Sequence, residues 1–379
     1  MEYHYCIKVH SYSDSSCSVP AIFPNTGKSS RTEYGILLCQ RCDNKSIRKP
    51  IFRTGTVVKM TYANEEHRSD TLTPHSGYSQ QLTFAGCPSF MRRPFSRDLD
   101  GIDLAITGIP FDCATTNRPG TRLGPRAIRE QSSLQAHDAP YGWEVDPFES
   151  LRMIDYGDCQ FDYGYIARAP AIIEKHITDI LEQDVTVLSL GGDHYVSYPV
   201  LKAHAKKFGQ LSLIQFDAHS DTWEDESVDR IDHGTMFRRA IEDGVVSAEH
   251  SVQVGIRTTN PDTMGVNIID APTVHSLSAA AVAERIKSVV GSRPCYFTFD
   301  IDCLDPAFAP GTGTPVSGGL SSAQAMDILR ALKGSLVLKG MDVVEVSPPF
   351  DHAGVTAIAG AHMAVELICL WASCRQAGI

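Results

Sequence analysis

Short apolar runs alternate with helix-like stretches from about residue 100 to the end of this chain. The runs are rich in β-branched residues and predict strands at 103–109, 185–190, 211–216, 251–256, 295–301 and 338–344. Helices are predicted near 166–182, 199–208, 234–242, 278–290, 321–333 and 354–375, with Ser278 and either Ser321 or Ser322 as N-caps. Strands that are almost continuously apolar and separated by helices indicate an α/β fold, a single doubly wound parallel sheet with helices on both faces.

The charge of the chain is divided unequally. The formal net charge is −11, but residues 1–59 hold nine Lys and Arg against four Asp and Glu, which is +5 and leaves −16 for residues 60–379. Because no hydrophobic period runs through residues 1–59, we predict a disordered extension there and one domain over residues 60–379, ordered from about residue 80. The acidic balance argues against a general nucleic-acid binder and suits a small cationic substrate.

Targeting and membrane signals are weak in this sequence. Residues 1–10 lack the basic and apolar regions of a secretory signal, and no stretch approaches the roughly 20 apolar residues that cross a bilayer. Seven of the 11 cysteines are scattered through the body of the chain, which is typical of a reducing compartment. We therefore expect a cytoplasmic protein with no membrane partner.

Acidic residues and histidines follow three of the predicted strands. The strand-end segments are Gly191-Gly192-Asp193-His194, Asp217-Ala218-His219-Ser220-Asp221 and Asp300-Ile301-Asp302. Ligands of parallel sheets gather at the carboxyl ends of strands. Since alternate residues of an extended strand share a face, each pair at a spacing of two is expected to bring its side chains together.

These strand ends predict a metal centre. Neighbouring carboxylates in a partly desolvated place repel each other unless a cation lies between them. A single such motif is more often a turn, but three at successive strand ends favour metal, and carboxylate with imidazole suits Mn, Co, Ni or Zn. Six ligands exceed the need of one tetrahedral ion, so we predict two ions with Asp217 and Asp300 as bridges. The predicted ligands are His194, Asp217, His219, Asp221, Asp300 and Asp302.

Five segments of the chain resemble the ureohydrolases, also called the arginase/agmatinase family. They are GGDH at 191–194, DAHSD at 217–221, DHGTMF at 232–237, FDIDCLDPAFAPGTGTPVSGGL at 299–320 and MDVVEVSP at 341–348. The resemblance covers roughly residues 80–379, and DHGTMF together with GIPFDCATTNRPGTRLGPRAIRE at 108–130 is most similar to the agmatinases. It implies an arginase-like three-layer α/β/α fold and a homo-oligomer, with a hexamer as the implied number.

The resemblance also implies two Mn²⁺ ions per subunit. One ion would be held by His194, Asp217, Asp221 and Asp300, and the other by Asp217, His219, Asp300 and Asp302. The implied reaction is hydrolysis of the guanidinium group of agmatine to urea and putrescine, through attack of a hydroxide that bridges the ions. Asp221 would also relay a proton to the leaving nitrogen.

Glu345 and His233 complete the predicted catalytic set. Glu345 ends an apolar strand and is expected to hold the substrate guanidinium, with capping of a neighbouring turn as the alternative. His233 is expected to contact the substrate or to carry a proton, with a surface helix cap as the alternative. Asp193, Asp305 and Asp342 are expected to support their neighbours.

The substrate is suggested by the segment that follows DAHSD. Residues 222–229 are acidic, with Glu224 and Asp225 expected near the mouth of the site, and this favours the amine tail of agmatine over a carboxylate. Arg118 and Arg122 would favour a carboxylate if they faced the site, so hydrolysis of a guanidino acid such as 4-guanidinobutyrate is the alternative. A metal-dependent deacetylase on a related fold, with one zinc, and a non-catalytic relative are disfavoured by the complete six-ligand set.

Overall fold

A computed structural model of the chain describes residues 35–36, 50–51, 82–144, 146–225, 227 and 230–379. The chain divides into two compact units, Met1–Thr71 and Leu72–Ile379. In the first unit the described residues form a short antiparallel pair of strands, Gly35–Ile36 and Pro50–Ile51. The rest of the extension predicted for residues 1–59 lies outside the described residues.

The second unit contains a sheet of eight parallel strands. In chain order they are β1 Leu104–Ile109, β2 Met153–Asp158, β3 Thr186–Gly191, β4 Ser212–Phe216, β5 Val252–Val254, β6 Asn267–Ile269, β7 Pro294–Asp300 and β8 Val337–Val344. The order across the sheet is β2-β1-β3-β8-β7-β4-β5-β6, and every neighbouring pair is parallel. The predicted α/β class with a parallel sheet is confirmed.

Six of these strands match the predicted ones, and β2 and β6 are additional. Both additional strands lie at the edges of the sheet, where burial on two faces is not required. β2 contains Asp155 and Asp158, and two of the three residues of β6, Asn267 and Ile268, are exposed. Edge strands therefore lack the continuous apolar pattern that reveals the central ones.

Nine α-helices are present in the described part of the second unit. They are α1 Gly124–Ser132, α2 Pro147–Ser150, α3 Ala169–Leu181, α4 Ser197–Phe208, α5 Met236–Glu242, α6 Ala271–Ser276, α7 Ala279–Val290, α8 Ser322–Ala331 and α9 Val355–Gln376. Sequence analysis misses α1, α2 and α6, which are short and have a proline in the first turn. Ser278 caps α7, and Ser321 rather than Ser322 caps α8, in a capping box with Gln324.

Alternate strand residues enter two separate cores, one on each face of the sheet. Ala105 and Val187 pack in the core that α3, α4 and α5 cover. Their neighbours Ile106 and Leu188 pack in the core that α1, α7, α8 and α9 cover. This division follows from the two-residue period of a strand, and it explains why the central strands are apolar throughout.

Helix α9 is the most apolar helix of the described chain. It has 22 residues, and an 18-residue window within it has a mean hydropathy of 1.6. By length and composition it could cross a membrane, so the expectation that no stretch approaches this length is wrong. However, 83% of its apolar window is buried inside the protein. Because it packs against α1, α8 and β8, we interpret it as a core helix.

Candidate metal centre

The predicted site residues lie at the ends of four strands that are neighbours in the sheet. β3, β8, β7 and β4 stand side by side in that order. They lead to His194, Glu345, Asp300 and Asp217 respectively. Because all four strands are parallel, these residues meet at one edge of the sheet, where ligands of such folds bind.

Tight turns bring together the ligands that are two residues apart. Asp217 Oδ1 accepts a hydrogen bond from the backbone N–H of His219 at 2.7 Å. Asp300 Oδ1 likewise accepts from the backbone N–H of Asp302 at 2.8 Å, within the 3-10 turn Ile301–Cys303. The side chains are close, but the predicted cause, alternation along an extended strand, is wrong, because each aspartate forms a turn with its own backbone.

His194 faces three carboxylates. Its Nδ1 lies 3.0 Å from Asp217 Oδ2, 3.0 Å from Asp221 Oδ2 and 3.2 Å from Asp300 Oδ2. All four side chains are buried. The structure thus brings the four residues proposed for the first ion around one point.

His219 forms a second group with Asp302 and Asp217. Its Nδ1 lies 3.1 Å from Asp302 Oδ2 and 3.6 Å from Asp217 Oδ1. Asp217 belongs to both groups, with Oδ2 towards His194 and Oδ1 towards His219. The assignment of Asp300 to this second group stays a prediction.

This geometry fits metal ions better than a network of hydrogen bonds. His194 Nδ1 is buried and makes no hydrogen bond, although three carboxylate oxygens lie within 3.2 Å of it. Ligand atoms about 2.1 Å from an ion and at right angles to each other are about 3.0 Å apart, which matches these distances. Imidazole with carboxylate suits a first-row divalent ion, and neither candidate group includes a cysteine.

The pKa values of the same residues report an excess of negative potential. Burial, with the charges of Asp302 and Asp217, raises the pKa of Asp300 well above its usual value. Burial and the charge of Asp217 raise the pKa of Asp221 to about 6. Burial disfavours charged His219, but Asp302 and Asp217 outweigh it and raise its pKa to about 12. Divalent cations neutralise such a potential.

Thr298 and Asp342 support His194 from the side opposite the carboxylates. His194 Nε2 lies 2.8 Å from Thr298 Oγ1, and the Thr298 hydroxyl donates to Asp342 Oδ1 at 2.5 Å. Asp342 is fully buried and also accepts from Ser197 at 2.8 Å and from Tyr296 at 2.9 Å. This series of hydrogen bonds directs Nε2–H of His194 towards Thr298 and leaves Nδ1 as the atom that can bind a metal.

Replacing Thr298 with valine is expected to weaken metal binding roughly 10- to 100-fold, which is typical when the partner behind a ligating histidine is lost. Valine keeps the β-branched shape within β7 but cannot accept the Nε2–H bond of His194. Thr298→Ser is the matched control and should bind metal nearly as well as the natural protein. Titration of the apoprotein with Mn²⁺ measures the dissociation constants, and equal affinity for Thr298→Val would contradict this role.

Glu345 lies under the site and contacts two of the three predicted histidines, His194 and His233. Its Oε1 accepts from the backbone N–H of His194 at 2.8 Å and lies 2.8 Å from His233 Nδ1. Because His194 begins the 3-10 turn His194–Val196, Glu345 does cap a neighbouring turn with this oxygen. Its Oε2 is buried without a hydrogen bond. The φ of 63° at Glu345 is rare for a residue other than glycine and is typical of functional sites.

His233 is buried, so the alternative of a surface helix cap is wrong. Burial favours the neutral ring, but the charge of Glu345 outweighs it and raises the pKa of His233 to about 9. His233 Nε2 faces Thr116, at 3.0 Å from its backbone N and 2.8 Å from its hydroxyl. Both ring nitrogens therefore have partners.

A cavity of about 300 Å³ opens above the two ligand groups. His219, Asp221 and Asp300 lie at its floor, and the wall includes His233 and Thr116. Its volume is at the lower end of the range for small-molecule sites, which is about 300–1,000 Å³. The arrangement can therefore present a small ligand to both candidate metal positions.

Comparison with known proteins decides the family. Residues 102–369 match the arginase family. The chain belongs to the arginase family. The agmatinase of Chromobacterium violaceum is 52% identical over 304 residues, which are 80% of this chain and 94% of that protein. The agmatinase of Proteus mirabilis is 45% identical over 282 residues, which are 74% of this chain and 90% of that protein.

Solved structures agree with this assignment. A hypothetical agmatinase from Burkholderia thailandensis has a TM-score of 0.77 and 55% identity, covering 80% of this chain and 96% of that one. The proclavaminate amidino hydrolase of Streptomyces clavuligerus has a TM-score of 0.72 and 36% identity, covering 78% of this chain and 100% of that one. The chain is thus an amidinohydrolase with the arginase-like fold, and its clustered ligands make it metal-dependent.

In this arginase-family enzyme the acidic segment after DAHSD has two roles. Glu224 lines the cavity together with Trp223, a residue that is 43% exposed. Asp225 instead forms an ion pair with Arg239 and accepts from the Thr235 hydroxyl at 2.9 Å. Asp225 therefore anchors the segment and does not line the cavity, contrary to its expected place near the mouth.

Arg118 and Arg122 would favour a substrate carboxylate if they faced the site, but both have other contacts. Arg122 forms an ion pair with Asp112, and Arg118 lies over an aromatic ring at 5.2 Å from its centroid. Neither is among the residues that line the cavity. A different cation, Arg230, lines it and pairs with Asp232 at 2.7 Å. The argument for a carboxylate-bearing substrate therefore depends on Arg230.

Several residues that build the site carry little signal in the sequence. Arg257 donates to the backbone carbonyls of Asp302 at 2.6 Å and Val316 at 2.8 Å, and so fixes the turn that carries Asp302. Thr298 precedes Asp300 by two residues, and this spacing on β7 is the one available sign that the two share a face. Thr116 lies in a loop without periodicity, and no pattern marks it.

Proposed function

We propose that this protein is a binuclear manganese hydrolase that cleaves the guanidinium group of agmatine to urea and putrescine. The main support is the pair of buried ligand groups, joined by Asp217, at the floor of a small cavity. The similar agmatinases, at 45% and 52% identity, favour a guanidino substrate. The acidic cavity wall favours a cationic one.

The metal ligands are proposed in two overlapping sets. They are His194, Asp217, Asp221 and Asp300 for one ion, and Asp217, His219, Asp300 and Asp302 for the other. Two such ions, when bound, would supply Lewis-acid chemistry and would lower the pKa of a water molecule so that hydroxide is available near neutral pH. The chain holds the ligands in place through the aspartate turns, Thr298 and Arg257.

The other groups bind the substrate and move a proton. Glu345 is buried and is not among the residues that line the cavity, so the guanidinium would have to reach past the cavity wall to bind it. Its Oε2 is the oxygen that would accept, because Oε2 has no hydrogen bond, whereas Oε1 already accepts from His194 N–H and faces His233. Hydrolysis forms a carbon–oxygen bond, breaks a carbon–nitrogen bond and leaves a proton for the departing amine. Asp221 lines the cavity and would accept that proton from water and pass it to the leaving nitrogen.

Agmatine fits the outer part of the cavity. Its amine tail would meet the carboxylate of Glu224 and the exposed ring of Trp223. A carboxylate attracts an ammonium group, and the face of an indole ring does so through its quadrupole. A carboxylate tail would be repelled by Glu224.

A guanidino acid is the second candidate substrate because Arg230 lines the same cavity. The Arg230 side chain is 53% exposed and forms one ion-pair contact with Asp232, at 2.7 Å. A substrate carboxylate could replace Asp232 as the partner of this guanidinium group.

Urea release from agmatine, 4-guanidinobutyrate and arginine tests the proposal. With the Mn²⁺-loaded enzyme we expect kcat/KM for agmatine to exceed the other two by at least about tenfold, the effect of one favourable charge contact. Glu224→Gln should raise KM for agmatine with little change in kcat, because it weakens binding of the tail and not of the reacting group. A preference for 4-guanidinobutyrate would favour the second candidate, and no urea from any substrate would overturn both.

We also propose that residues 60–379 form the catalytic domain of a cytoplasmic homo-oligomer. Five described cysteines are buried and free, which suits a reducing compartment. The family match begins at residue 102, far beyond residue 59. A protein that starts at Met60 should keep kcat and KM within about twofold of the full chain, since no proposed site residue is removed. Loss of activity would assign a role to residues 1–59, and light scattering would test the hexamer.

A further inference from the structure

Thr116 reaches the imidazole of His233 with two polar groups. Its backbone N–H donates to His233 Nε2 at 3.0 Å, and its hydroxyl oxygen lies 2.8 Å from the same atom. On the other side of the ring, Nδ1 lies 2.8 Å from Glu345 Oε1. His233 is therefore held between a carboxylate and a threonine that lines the cavity.

The loop that carries Thr116 is fixed independently of His233. Ala114 N–H donates to Asp193 Oδ2 at 2.8 Å, and the Asn117 side chain donates to the backbone carbonyl of Gly313 at 3.0 Å. Gly192 brings this loop close, because a Cβ at position 192 would lie 1.7 Å from the Phe111 carbonyl oxygen. The position of Thr116 is thus set by the scaffold.

The two groups of Thr116 act differently on the ring. A carboxylate can only accept, so Glu345 requires the proton on Nδ1. A backbone N–H can only donate, so it requires a lone pair on Nε2 and favours the neutral ring. The hydroxyl can donate to a neutral ring or accept from a protonated one. It is therefore the contact that remains favourable in both protonation states.

The surroundings of His233 include groups that favour its protonated form and groups that favour its neutral form. Glu345 contacts this ring, and the negative charges of Glu345, Asp221 and Asp193 favour its protonated form and raise its pKa. Burial and the backbone N–H of Thr116 favour the neutral form. Without the hydroxyl, protonation would leave the Nε2–H group facing an N–H donor, and the ring would have to turn away.

We propose that the Thr116 hydroxyl is a positioning element that keeps the His233 ring in one place while its protonation changes. The inference rests on the proposed hydrolysis at the metal centre beneath the cavity. Thr116 acts through His233 and holds no metal. Its loss should therefore slow turnover more than it weakens substrate binding or metal binding.

Thr116→Val and Thr116→Ser provide a matched pair of variants. Valine keeps the β-branched shape and the backbone N–H and removes only the hydroxyl, whereas serine retains it. Because Thr116 is exposed to the cavity and is not part of a core, neither change should unfold the protein. His233→Asn is the reference that removes the ring.

For the full-length Mn²⁺-loaded enzyme with agmatine, Thr116→Val should lower kcat by roughly 10- to 100-fold, with KM within about threefold. Thr116→Ser should stay near the natural rate. Thr116→Val combined with His233→Asn should be no slower than His233→Asn alone, since the two residues act as one unit. A natural rate for Thr116→Val, failure of serine to restore the rate, or losses that multiply in the double variant would each overturn the proposal.

Labelling of His233 by diethyl pyrocarbonate, followed by mass spectrometry, gives a readout that does not need turnover. The ring should be labelled faster in Thr116→Val than in the natural protein or in Thr116→Ser, because it is released from its position. An unchanged labelling rate would overturn the positioning role. If the natural enzyme releases no urea from any guanidino substrate, the proposed function fails while the labelling still decides the role of Thr116.

Discussion

Asp217→Asn is expected to lower kcat for agmatine by at least about 1,000-fold, because it removes the carboxylate that the two proposed metal positions share. Asp217 directs Oδ2 to His194 and Oδ1 to His219, so each ligand group depends on it. Asparagine can still accept the His219 backbone N–H but offers one oxygen and no charge. We therefore expect metal content to fall from two ions per chain to one or none.

Asp305→Asn is the matched control for this change. Asp305 lies in the same loop as Asp302 but accepts backbone N–H groups from Gly318 at 2.7 Å and Gly319 at 3.1 Å, outside both ligand groups. The same loss of charge there should cost about 1–2 kcal/mol of unfolding free energy and leave both metals bound. Elemental analysis measures the metal content of both variants, and steady-state kinetics measure their kcat for agmatine. Two bound ions and near-normal turnover in Asp217→Asn would contradict the shared-ligand assignment.

The central strands could be predicted from the sequence because burial on both faces leaves a continuous apolar run. The edge strands β2 and β6 could not, since one side of each is not covered by another strand. Asp155 in β2 is an example. As a charged residue it predicts an exposed position, but it is fully buried because Arg129 forms an ion pair with it at 2.7 Å. Ion pairs of this kind appear once the chain is folded.

The sequence also predicted that the candidate ligands lie close together, but it did not predict their local geometry. A spacing of two residues marks Asp217 with His219, and Asp300 with Asp302, as candidate pairs. The structure brings each pair together through a side-chain-to-backbone turn, which spacing alone does not distinguish from an extended strand. The spacing nevertheless predicts that the two side chains are close, because a turn and a strand both bring residues i and i+2 together.

The partners of individual charges were the least predictable part of the site. The sequence shows that Glu224 and Asp225 are both acidic, but not that Arg239 neutralises Asp225 and leaves Glu224 to line the cavity. In the same way, Arg122 is paired with Asp112, whereas Arg230 lies at the cavity. Substrate preference depends on such pairings, so it follows from three-dimensional contacts and not from net charge.

Glu345→Gln is expected to separate substrate binding from metal binding. Glutamine keeps an oxygen that can accept from His194 N–H, but it removes the negative charge that would hold the guanidinium at Oε2. Breaking a buried charge pair costs about 3–5 kcal/mol, which corresponds to a loss of roughly 150- to 5,000-fold in kcat/KM for agmatine. Both metals should remain, because Glu345 belongs to neither ligand group.

Glu366→Gln controls for the loss of a buried carboxylate as such. Glu366 lies in α9, where it pairs with Arg330 and accepts from the Trp143 indole at 2.8 Å, away from the cavity. This variant should lose stability but keep kcat/KM per folded molecule. If Glu345→Gln loses metal together with activity, Glu345 acts on the centre through the turn at His194. If it keeps kcat/KM, the guanidinium is held elsewhere. A loss of kcat/KM with two ions bound would leave two roles for this carboxylate: substrate recognition through Oε2, and the contact of Oε1 with His233. A rise in KM without a fall in kcat would favour substrate recognition.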